Sequence, residues 1–362
     1  MRIAWFRPAA ADDTDPLDDT AALIDELRGA HRIDVVTERD AHDFVWQHRL
    51  RPWELCVYEL DETRAHRFVW AYLLNYPGVL LLRSGDIAHL RVPLFASRLA
   101  VASSAGWADL LRSMHPDIHV RFAPPCGRAT GSVTRASSGG DRSAGHAERR
   151  PVTFAVFDRR TRGGDVVGRA LQRARDAGAT FEVAGPDADA NRLARGDVVI
   201  APGWPPSQRA PAAVLAGMAA GKAVVTTEMD ATADWPAMDP QTWRTRGLAV
   251  ADPPIAVTID PRDEEHSLML AIRRLSSDAA SREQLGAAAY AWWHAHAMPA
   301  HAAAAWMPIL EEAVRLSPPP RPDDWPPQFA ADGTELARAI LREFGLTSRI
   351  GDQGSGIKNG RT

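Results

Sequence analysis

The segment FDRRTRGGDVV places three guanidinium groups next to two glycines. Its cations are Arg159, Arg160 and Arg162, and Gly163 and Gly164 follow them. A guanidinium grips phosphate oxygens in a fork, and glycine lets the backbone approach a ligand closely. The segment follows a strand-like run and precedes a helix-like run, so a helix N-terminus would add N–H donors. The pattern predicts a phosphate-binding loop; a solvated charged loop is the alternative.

A second group of chemically capable residues lies in AWWHAHAMPAH, where three histidines are close in sequence. His294 and His296 point to different faces of a helix, and Pro299 interrupts the spacing to His301. A zinc site needs convergent ligands, so we predict no metal site here. The chain has no G-x-S-x-G or P-loop pattern, and no G-x-G-x-x-G follows its first strand. That last absence argues against a dinucleotide-dependent oxidoreductase.

The elements that must position these residues alternate between apolar strands and helices. The strand-like runs are continuously apolar, which is typical of a parallel sheet covered on both faces. The predicted strands are Arg2–Phe6, RIDVVTE, Leu55–Leu60, VLLLRS, LAVASS, HVRFAPP, VTFAVFD, TFEVAG, DVVIAPGW, AVVTT and GLAVAD. The predicted helices cover about residues 16–30, 64–76, 107–114, 163–179, 211–220, 263–276, 281–296 and 301–316, with TELARAILREFG last.

Residues 126–150 interrupt the alternation. This segment is rich in Gly, Ser and Arg and has almost no large apolar side chain, so burial cannot offset its ordering entropy. We predict a flexible linker or loop; a basic nucleic-acid arm is disfavoured by Asp141, Glu148 and the lack of aromatics. Domains are expected at residues 1–125 and 151–316, with an extended segment, one helix and a disordered tail at 317–362. The predicted fold class is α/β, with two doubly wound Rossmann-like domains facing each other across a cleft.

Composition narrows the function classes. The chain has 362 residues, enough for two domains of roughly 100–200 residues each. A net charge of −4 and a pI near 6.3 give no electrostatic reason to expect a nucleic-acid partner. Cys56 and Cys126 are too few for a disulfide framework. The sequence has no apolar run of the ~20 residues that a membrane span needs, and MRIAWFRPAAADD lacks a signal-peptide core. We expect a cytoplasmic protein.

Several stretches, in this order, resemble one family. RIAWFRP and HRIDVV resemble its first strand and the end of its first helix. VYELDETRAHRFVWAYLLNYPGVLLLRSGDIAHL is similar to its tract from the third strand to a strand ending in His-Asp. DVVIAPGWPPSQRAPAAVLAGMAAGKAVVTT resembles its donor-site tract. The chain therefore resembles bacterial family 4-type (group 1) glycosyltransferases of the GT-B fold, over residues 1 to about 316. The resemblance implies a nucleotide-sugar donor.

The resemblance also implies the donor-site residues. Arg162-Gly163 matches the family's Lys-Gly pair that clamps the diphosphate, and Arg159 or Arg160 supplies the other cation. The family's two glutamates fall on Gln208 and Ala216. Gln208 can still hydrogen-bond a hydroxyl, whereas Ala216 cannot. Loss of a charge-assisted hydrogen bond costs about 1.5–3 kcal/mol, or one to two decades in affinity.

On the acceptor side, LLLRSGDIAHL aligns with the strand that ends in His-Asp. Arg83 and Ser84 stand in place of that pair, and His89 lies where the family often has a further histidine. Arg83 cannot accept a proton at pH 7, although it could offset leaving-group charge. Arg83 and His89 are the predicted catalytic residues. The first loop, PAAADDTDPLDD, has lost its glycine, and its acidic residues would repel a diphosphate.

Three functions remain open at this point. The first is a retaining, metal-independent glycosyltransferase that needs no cofactor beyond a nucleotide-sugar co-substrate and acts on a carbohydrate or lipid-linked acceptor. The second is a catalytically inactive GT-B homologue that serves as a binding subunit beside a partner transferase. The third is a nucleotide-binding module that ignores the sugar. We expect a cytoplasmic location, with peripheral contact at the inner membrane face as an option for a lipid-linked acceptor.

Overall fold

The chain divides into two compact units, Met1–Pro319 and Pro320–Thr362. The computed structural model describes residues 1–9, 19–61, 63–83, 87–128, 150–157, 165–184, 189–203, 212–246, 252–320, 324 and 335–344. The predicted strand GLAVAD falls almost wholly outside these ranges. So do most of the predicted linker and the predicted disordered tail.

The first sheet has six parallel strands in the order β2-β1-β3-β4-β5-β6. Its strands and helices are β1 Arg2–Phe6, α1 Asp19–Leu27, β2 Arg32–Val36, α2 Ala41–Leu50, β3 Leu55–Leu60, α3 Arg67–Asn75, β4 Val79–Leu82, α4 Ile87–Ala96, β5 Leu99–Ala102, α5 Ala105–Met114 and β6 Val120–Phe122, with a 3₁₀ turn at Arg64–His66. After β1 the chain adds β2 on one side of it; β3 then pairs with the other side of β1, and β4, β5 and β6 follow in that direction. The topological switch point, where ligands of open α/β sheets bind, therefore lies at the carboxyl ends of β1 and β3.

The second sheet has seven strands in the order β12-β11-β13-β10-β9-β7-β8. Its pairings are parallel except for the short antiparallel pair β11/β12. Its elements are β7 Val152–Val156, α6 Val166–Asp176, β8 Phe181–Val183, α7 Asp189–Arg195, β9 Val198–Ala201, α8 Ala212–Ala219, β10 Ala223–Thr227, β11 Ala237–Met238, β12 Thr245–Arg246, β13 Ala256–Ile259, α9 Glu264–Ser277, α10 Ala279–His296 and α11 Pro299–Arg315, with a 3₁₀ turn at Asp230–Thr232. By the same rule its switch point lies between β7 and β9.

Both sheets are buried on their two faces, which explains the continuous apolar runs in the sequence. All six residues of β3 and all five residues of β10 are buried. The prediction of parallel, doubly covered Rossmann-like sheets is confirmed. Six of the described elements were not predicted from the sequence: the helices α2, α4 and α7 and the short strands β11, β12 and β13.

The last helix of the first unit, α11, returns to the first sheet. The rings of Trp306 and Trp5 lie 5.3 Å apart between centroids. Trp306 and Leu310 belong to the apolar core formed by β1, β3, β4 and α1. Arg121 Nε donates to Glu312 at 2.9 Å. The predicted domain boundary assigned this helix to the second domain, but its core contacts are in the first.

The start of the predicted linker is packed. Cys126 is buried in the core of the first sheet. The backbone N–H of Gly127 donates to Ala297 at 2.9 Å, and its carbonyl accepts from Trp293 Nε1 at 3.2 Å. A Cβ at Gly127 would lie 2.8 Å from Trp293 Nε1, so the close approach requires glycine. Gly127, in the described start of the linker, is therefore held against the end of α10.

The second unit contains one described helix, α12 Glu335–Glu343. Its Ile340 is 47% exposed, and Phe344, just after it, is 74% exposed. In the described part of the chain, none of the helices has the length and apolar character needed to cross a bilayer.

Candidate functional site

Four charged side chains meet at the carboxyl ends of β1, β3 and β4. Glu59 Oε2 accepts from Arg83 Nε at 3.1 Å, and Glu59 Oε1 lies 3.7 Å from Arg7 Nε. Arg83 Nη2 donates to Asp19 Oδ1, also at 3.1 Å. Trp5 Nε1 completes the shell of Glu59 at 2.9 Å. We call these residues (Arg7, Asp19, Glu59 and Arg83) the ion cluster.

The ion cluster is buried and internally neutralised. The side chains of Glu59 and Arg83 are 3% and 15% exposed. Arg83 was predicted as a catalytic cation. Its guanidinium donates to the carboxylates of Asp19 and Glu59 and to the Thr20 hydroxyl. A guanidinium already matched by two carboxylates has little net charge to offer a leaving phosphate. The geometry favours a structural role, and the catalytic role of Arg83 stays a prediction.

The cavity beside the ion cluster is small. It is lined by Asp19, Arg83, Cys126 and Trp306 among others, and its volume is about 40 Å³. That space holds about one water molecule, since water occupies about 30 Å³ in the liquid. Burial raises the pKa of the Cys126 thiol, which lines this cavity, to about 12. The thiol therefore stays protonated at neutral pH and is unreactive.

A carboxylate–imidazole pair follows β3. Asp61 Oδ1 lies 2.6 Å from His66 Nδ1 and accepts from the Thr63 N–H at 2.6 Å. Burial opposes ionisation of Asp61, but the hydrogen bonds from His66 and Thr63 outweigh it and lower its pKa. The Asp61 carboxylate holds the His66 ring through Nδ1 and so sets its orientation. This pair was not predicted from the sequence, where neither Asp61 nor His66 was a candidate residue.

The other predicted acceptor-side residue is only partly described. His89 lies in the first turn of α4, and its side chain is outside the described part of the structure. Ser84 is outside the described residues altogether. The catalytic role of His89 stays a prediction.

Most of the predicted donor-site residues also lie outside the described residues. These are Arg159, Arg160, Arg162, Gly163 and Gln208. The structure therefore does not test the phosphate-binding loop, whose neighbours in the chain are Phe157 at the end of β7 and Asp165 at the start of α6.

Ala216 is the one predicted donor residue that is fully described. It is 1% exposed, in the middle of α8, within the apolar core of the second sheet. A Cβ at the neighbouring Gly217 would lie 2.9 Å from methyls of Val199 and Val224, so α8 sits unusually close to the sheet. The small residues of α8 thus serve packing against the sheet. A donor contact at Ala216 stays a prediction.

The N-terminus of α6 is capped by its own chain. Asp165 Oδ1 accepts from the Gly168 N–H at 2.7 Å. The carboxylate therefore satisfies an N–H that a phosphate would otherwise use, and it adds negative charge there. A diphosphate at this end would depend on the loop arginines more than on the helix.

A carboxylate missed by the sequence analysis stands at the carboxyl end of β10. Glu228 is the residue directly after the donor-site tract, and its side chain is 46% exposed. Its Oε2 lies 2.9 Å from Arg246 Nη2, which also donates to the Thr258 carbonyl at 2.8 Å. The Thr227 hydroxyl beside it is buried and has no hydrogen-bond partner among the described residues. Glu228 is thus exposed and Arg246 partly exposed at the carboxyl end of β10, the neighbour of the switch-point strand β9.

The described part of the chain contains no cluster of three or more His, Cys, Asp or Glu side chains that could hold a metal ion. The three clustered histidines of the sequence, His294, His296 and His301, are all exposed. The first two lie in the last turn of α10, and the third lies in α11.

Comparison with solved structures identifies the architecture. The chain is similar to HepE from Anabaena in complex with UDP and glucose, with 13% identity and a TM-score of 0.56 over 87% of this chain and 99% of that one. The same protein in complex with UDP-glucose matches at 12% identity and a TM-score of 0.54, over 86% of this chain and 100% of that one.

The fold is of the GT-B type.

WaaG, a glycosyltransferase involved in lipopolysaccharide biosynthesis, has the same architecture at 12% identity, with a TM-score of 0.51 over 84% of this chain and 99% of that one. No family model matches the sequence, and no curated protein matches it. At such low identities the likeness shows the fold, and the function must be argued from the site.

Proposed function

We propose that this chain is a glycosyltransferase that moves a sugar from a nucleotide-sugar to an acceptor hydroxyl. The likeness in fold to HepE, over 86% of this chain and 100% of that one, supports the proposal, since that protein binds UDP-glucose. The exposed Glu228–Arg246 pair at the carboxyl end of the second sheet supports it, because ligands of this fold class bind at such ends.

In the proposed reaction the bond between the anomeric carbon and the diphosphate oxygen breaks. A bond from the same carbon to the acceptor oxygen forms, and the acceptor proton leaves on a phosphate oxygen of the nucleoside diphosphate. Atoms and charge balance without a redox partner or a bound metal. Retention of configuration is the outcome that the resemblance to family 4-type enzymes implies.

We assign Glu228 to the donor hydroxyls. The resemblance expected two carboxylates, but Gln208 and Ala216 stand there instead, and Glu228 is the first carboxylate after that tract. An ionised carboxylate accepts hydrogen bonds from hydroxyls through two oxygens. Its exposure lets it exchange part of its contact with Arg246 for a ligand. Arg159, Arg160 and Arg162 would hold the diphosphate.

Calorimetric titration with a panel of UDP-, GDP- and ADP-sugars tests the proposal. We expect one nucleotide-sugar to bind more tightly than its nucleoside diphosphate, and chromatography to show release of that diphosphate when an acceptor is added. Absence of binding to every member of the panel at millimolar concentration would sink the transferase. Equal affinity for the sugar and sugar-free forms would instead support a plain nucleotide-binding module.

A non-catalytic GT-B homologue is the second candidate, and the ion cluster favours it. Arg83 is held between Asp19 and Glu59, and the cavity that the described residues form beside it has a volume of only about 40 Å³. Such a protein would bind a nucleotide-sugar or a partner transferase without turnover. Tight donor binding with no diphosphate release, for any carbohydrate or lipid-linked acceptor tried, would support this candidate over the first.

A further inference from the structure

A second cavity lies at the amino ends of β7, β9 and β10, at the edge of the second sheet opposite the proposed donor site. Its volume is about 560 Å³, within the range of about 300–1,000 Å³ that is usual for small-ligand pockets. Its walls come from the start of β7, the end of α7, the turn before β10 and the first turn of α10. The charged side chains that line it are Arg150, Arg195, Asp197, Lys222, Arg282 and Glu283.

Cations outnumber carboxylates in this cavity. Four of its lining side chains are basic and two are acidic. Most of the positive charge comes from guanidinium groups, which suit phosphate oxygens. In a chain with a net charge of −4, a concave basic surface is an unusual concentration of positive charge.

Lys222 forms the back of the cavity. Its ammonium donates to the backbone carbonyls of Leu193, Ala194 and Gly196, where α7 ends. These bonds use all three of its donors, so Lys222 is held in place by dipoles and makes no direct contact with a carboxylate in the described structure. Burial lowers its pKa, and Arg150 lowers it further against the opposing effect of Asp197. A bound anion would stabilise this charge.

Arg150 and Arg282 retain unused donors at the mouth. Arg150 contacts Asp197 through Nη2 at 2.8 Å and is 65% exposed. Arg282 donates from Nη1 to the Leu275 carbonyl at 2.6 Å. A guanidinium has five N–H donors in a fixed fork, so each contact leaves most of the fork available within the described structure. Asp197 also accepts from the Thr153 N–H at 2.8 Å, which anchors the Arg150 side of the mouth.

We propose that this cavity binds a phosphate group of an anionic ligand, at a site separate from the donor site. Arg150 and Arg282 would contact the phosphate, Lys222 would supply charge from behind, and Glu283 would oppose binding. The phosphate could belong to a small soluble molecule or to a lipid headgroup, since the chemistry of recognition is the same. The proposal does not depend on glycosyl transfer.

Calorimetric titration of the full chain with inorganic pyrophosphate at low salt provides the test. We expect saturable binding that Arg150→Gln and Arg282→Gln each weaken by about tenfold, the lower end of what a charge-assisted hydrogen bond is worth. Glu283→Gln should tighten binding, because it removes a repelling charge from the same wall. Arg112→Gln, which makes the same charge change on α5, should leave the affinity unchanged. Circular dichroism checks that each variant is folded; Arg150 and Glu283 are exposed, so their loss costs little stability.

Sedimentation with phosphatidylglycerol vesicles and with phosphatidylcholine vesicles distinguishes the sources of phosphate. If the chain binds the anionic vesicles and Arg150→Gln abolishes that binding, the phosphate belongs to a lipid. If the chain binds pyrophosphate but not the vesicles, the phosphate belongs to a soluble ligand. Binding of neither probe overturns the proposal. So does pyrophosphate binding that none of the three cavity variants changes, because the anion would then be bound elsewhere, including at the donor site.

Discussion

The carboxyl ends of the two sheets differ in how their charges are satisfied. At the first sheet, Glu59 and Arg83 are almost fully buried and pair with one another and with Asp19. At the second sheet, Glu228 and Arg246 are 46% and 32% exposed. A buried pair is costly to break, whereas an exposed pair is worth little and can exchange partners with a ligand. The difference teaches that a charged residue at a strand end can be structural in one domain and available for binding in the other.

The largest effect is expected in the ion cluster at the carboxyl end of the first sheet, and it tests whether that cluster is structural. Glu59→Ala leaves Arg83 and Arg7 without their shared carboxylate and should lower the free energy of unfolding by about 3–5 kcal/mol. Glu59→Gln keeps a hydrogen-bond acceptor and should lose less. Urea unfolding at pH 7 measures both. A loss of less than about 1 kcal/mol for Glu59→Ala would mean that the cluster behaves as a screened surface pair.

The next largest effect is expected where α8 packs against the second sheet. Gly217→Val introduces atoms where a Cβ already lies 2.9 Å from Val199 and Val224. Overpacking of this kind should cost about 1–3 kcal/mol of unfolding free energy. The control is Gly106→Ala in α5, where a Cβ meets nothing within 4 Å and helix propensity should give a gain of up to about 1 kcal/mol. Thermal unfolding of both variants separates close packing from backbone effects. A neutral Gly217→Val would show that α8 can move off the sheet.

A smaller effect is expected at the N-terminus of α6. Asp165→Ala removes the cap on the Gly168 N–H and should cost about 1 kcal/mol of stability. Asp165→Ser keeps a cap but removes the negative charge, so its stability should stay close to that of the parent chain. In calorimetry the serine variant should bind nucleoside diphosphate more tightly, because a repelling charge is gone. Weaker diphosphate binding by this variant would count against a phosphate near α6.

The smallest effect is a change in acid stability near the first end. The pKa of Asp61 is lowered in the folded chain by hydrogen bonds from His66 and Thr63. Its stabilising contribution is therefore present above the ordinary value of 3.8 and is lost as the pH falls through the lower folded value. Asp61→Asn should flatten this part of the stability profile. Urea midpoints measured from pH 5 downward test it; an unchanged slope would show that the pair contributes nothing to folding.

The sequence was sufficient to predict the fold because strands that are buried on both faces appear in it as continuous apolar runs. β1, β3 and β10 match their predicted bounds, since each is a short run that is buried on both faces. The missed helix α2 places Val45, Trp46 and Leu50 on its exposed side, which removes the expected amphipathic pattern. The missed strand β13 has only four residues and follows a Pro-Pro pair.

The candidate site was harder to predict because its partners are distant in the chain. Arg83 is 24 residues from Glu59 and 64 residues from Asp19, so its neutralisation depends on the tertiary fold. Glu228 was missed for a different reason. It follows the resembling tract by one position, and only the strand order shows that β10 ends beside β9 and β13. The roles of Arg159, Arg160, Arg162, Gly163 and Gln208 remain predictions.

The difference between the two ends is tested most directly by one matched titration. The nucleotide-sugar that binds best in the panel is titrated into the parent chain, Glu228→Gln and Glu59→Gln, with Asp109→Asn as a control on α5. We predict that Glu228→Gln weakens binding by about one to two decades, as loss of a charge-assisted hydrogen bond implies. Glu59→Gln should lower stability and leave the affinity of the folded protein unchanged. Loss of affinity in Glu59→Gln with none in Glu228→Gln would contradict the account.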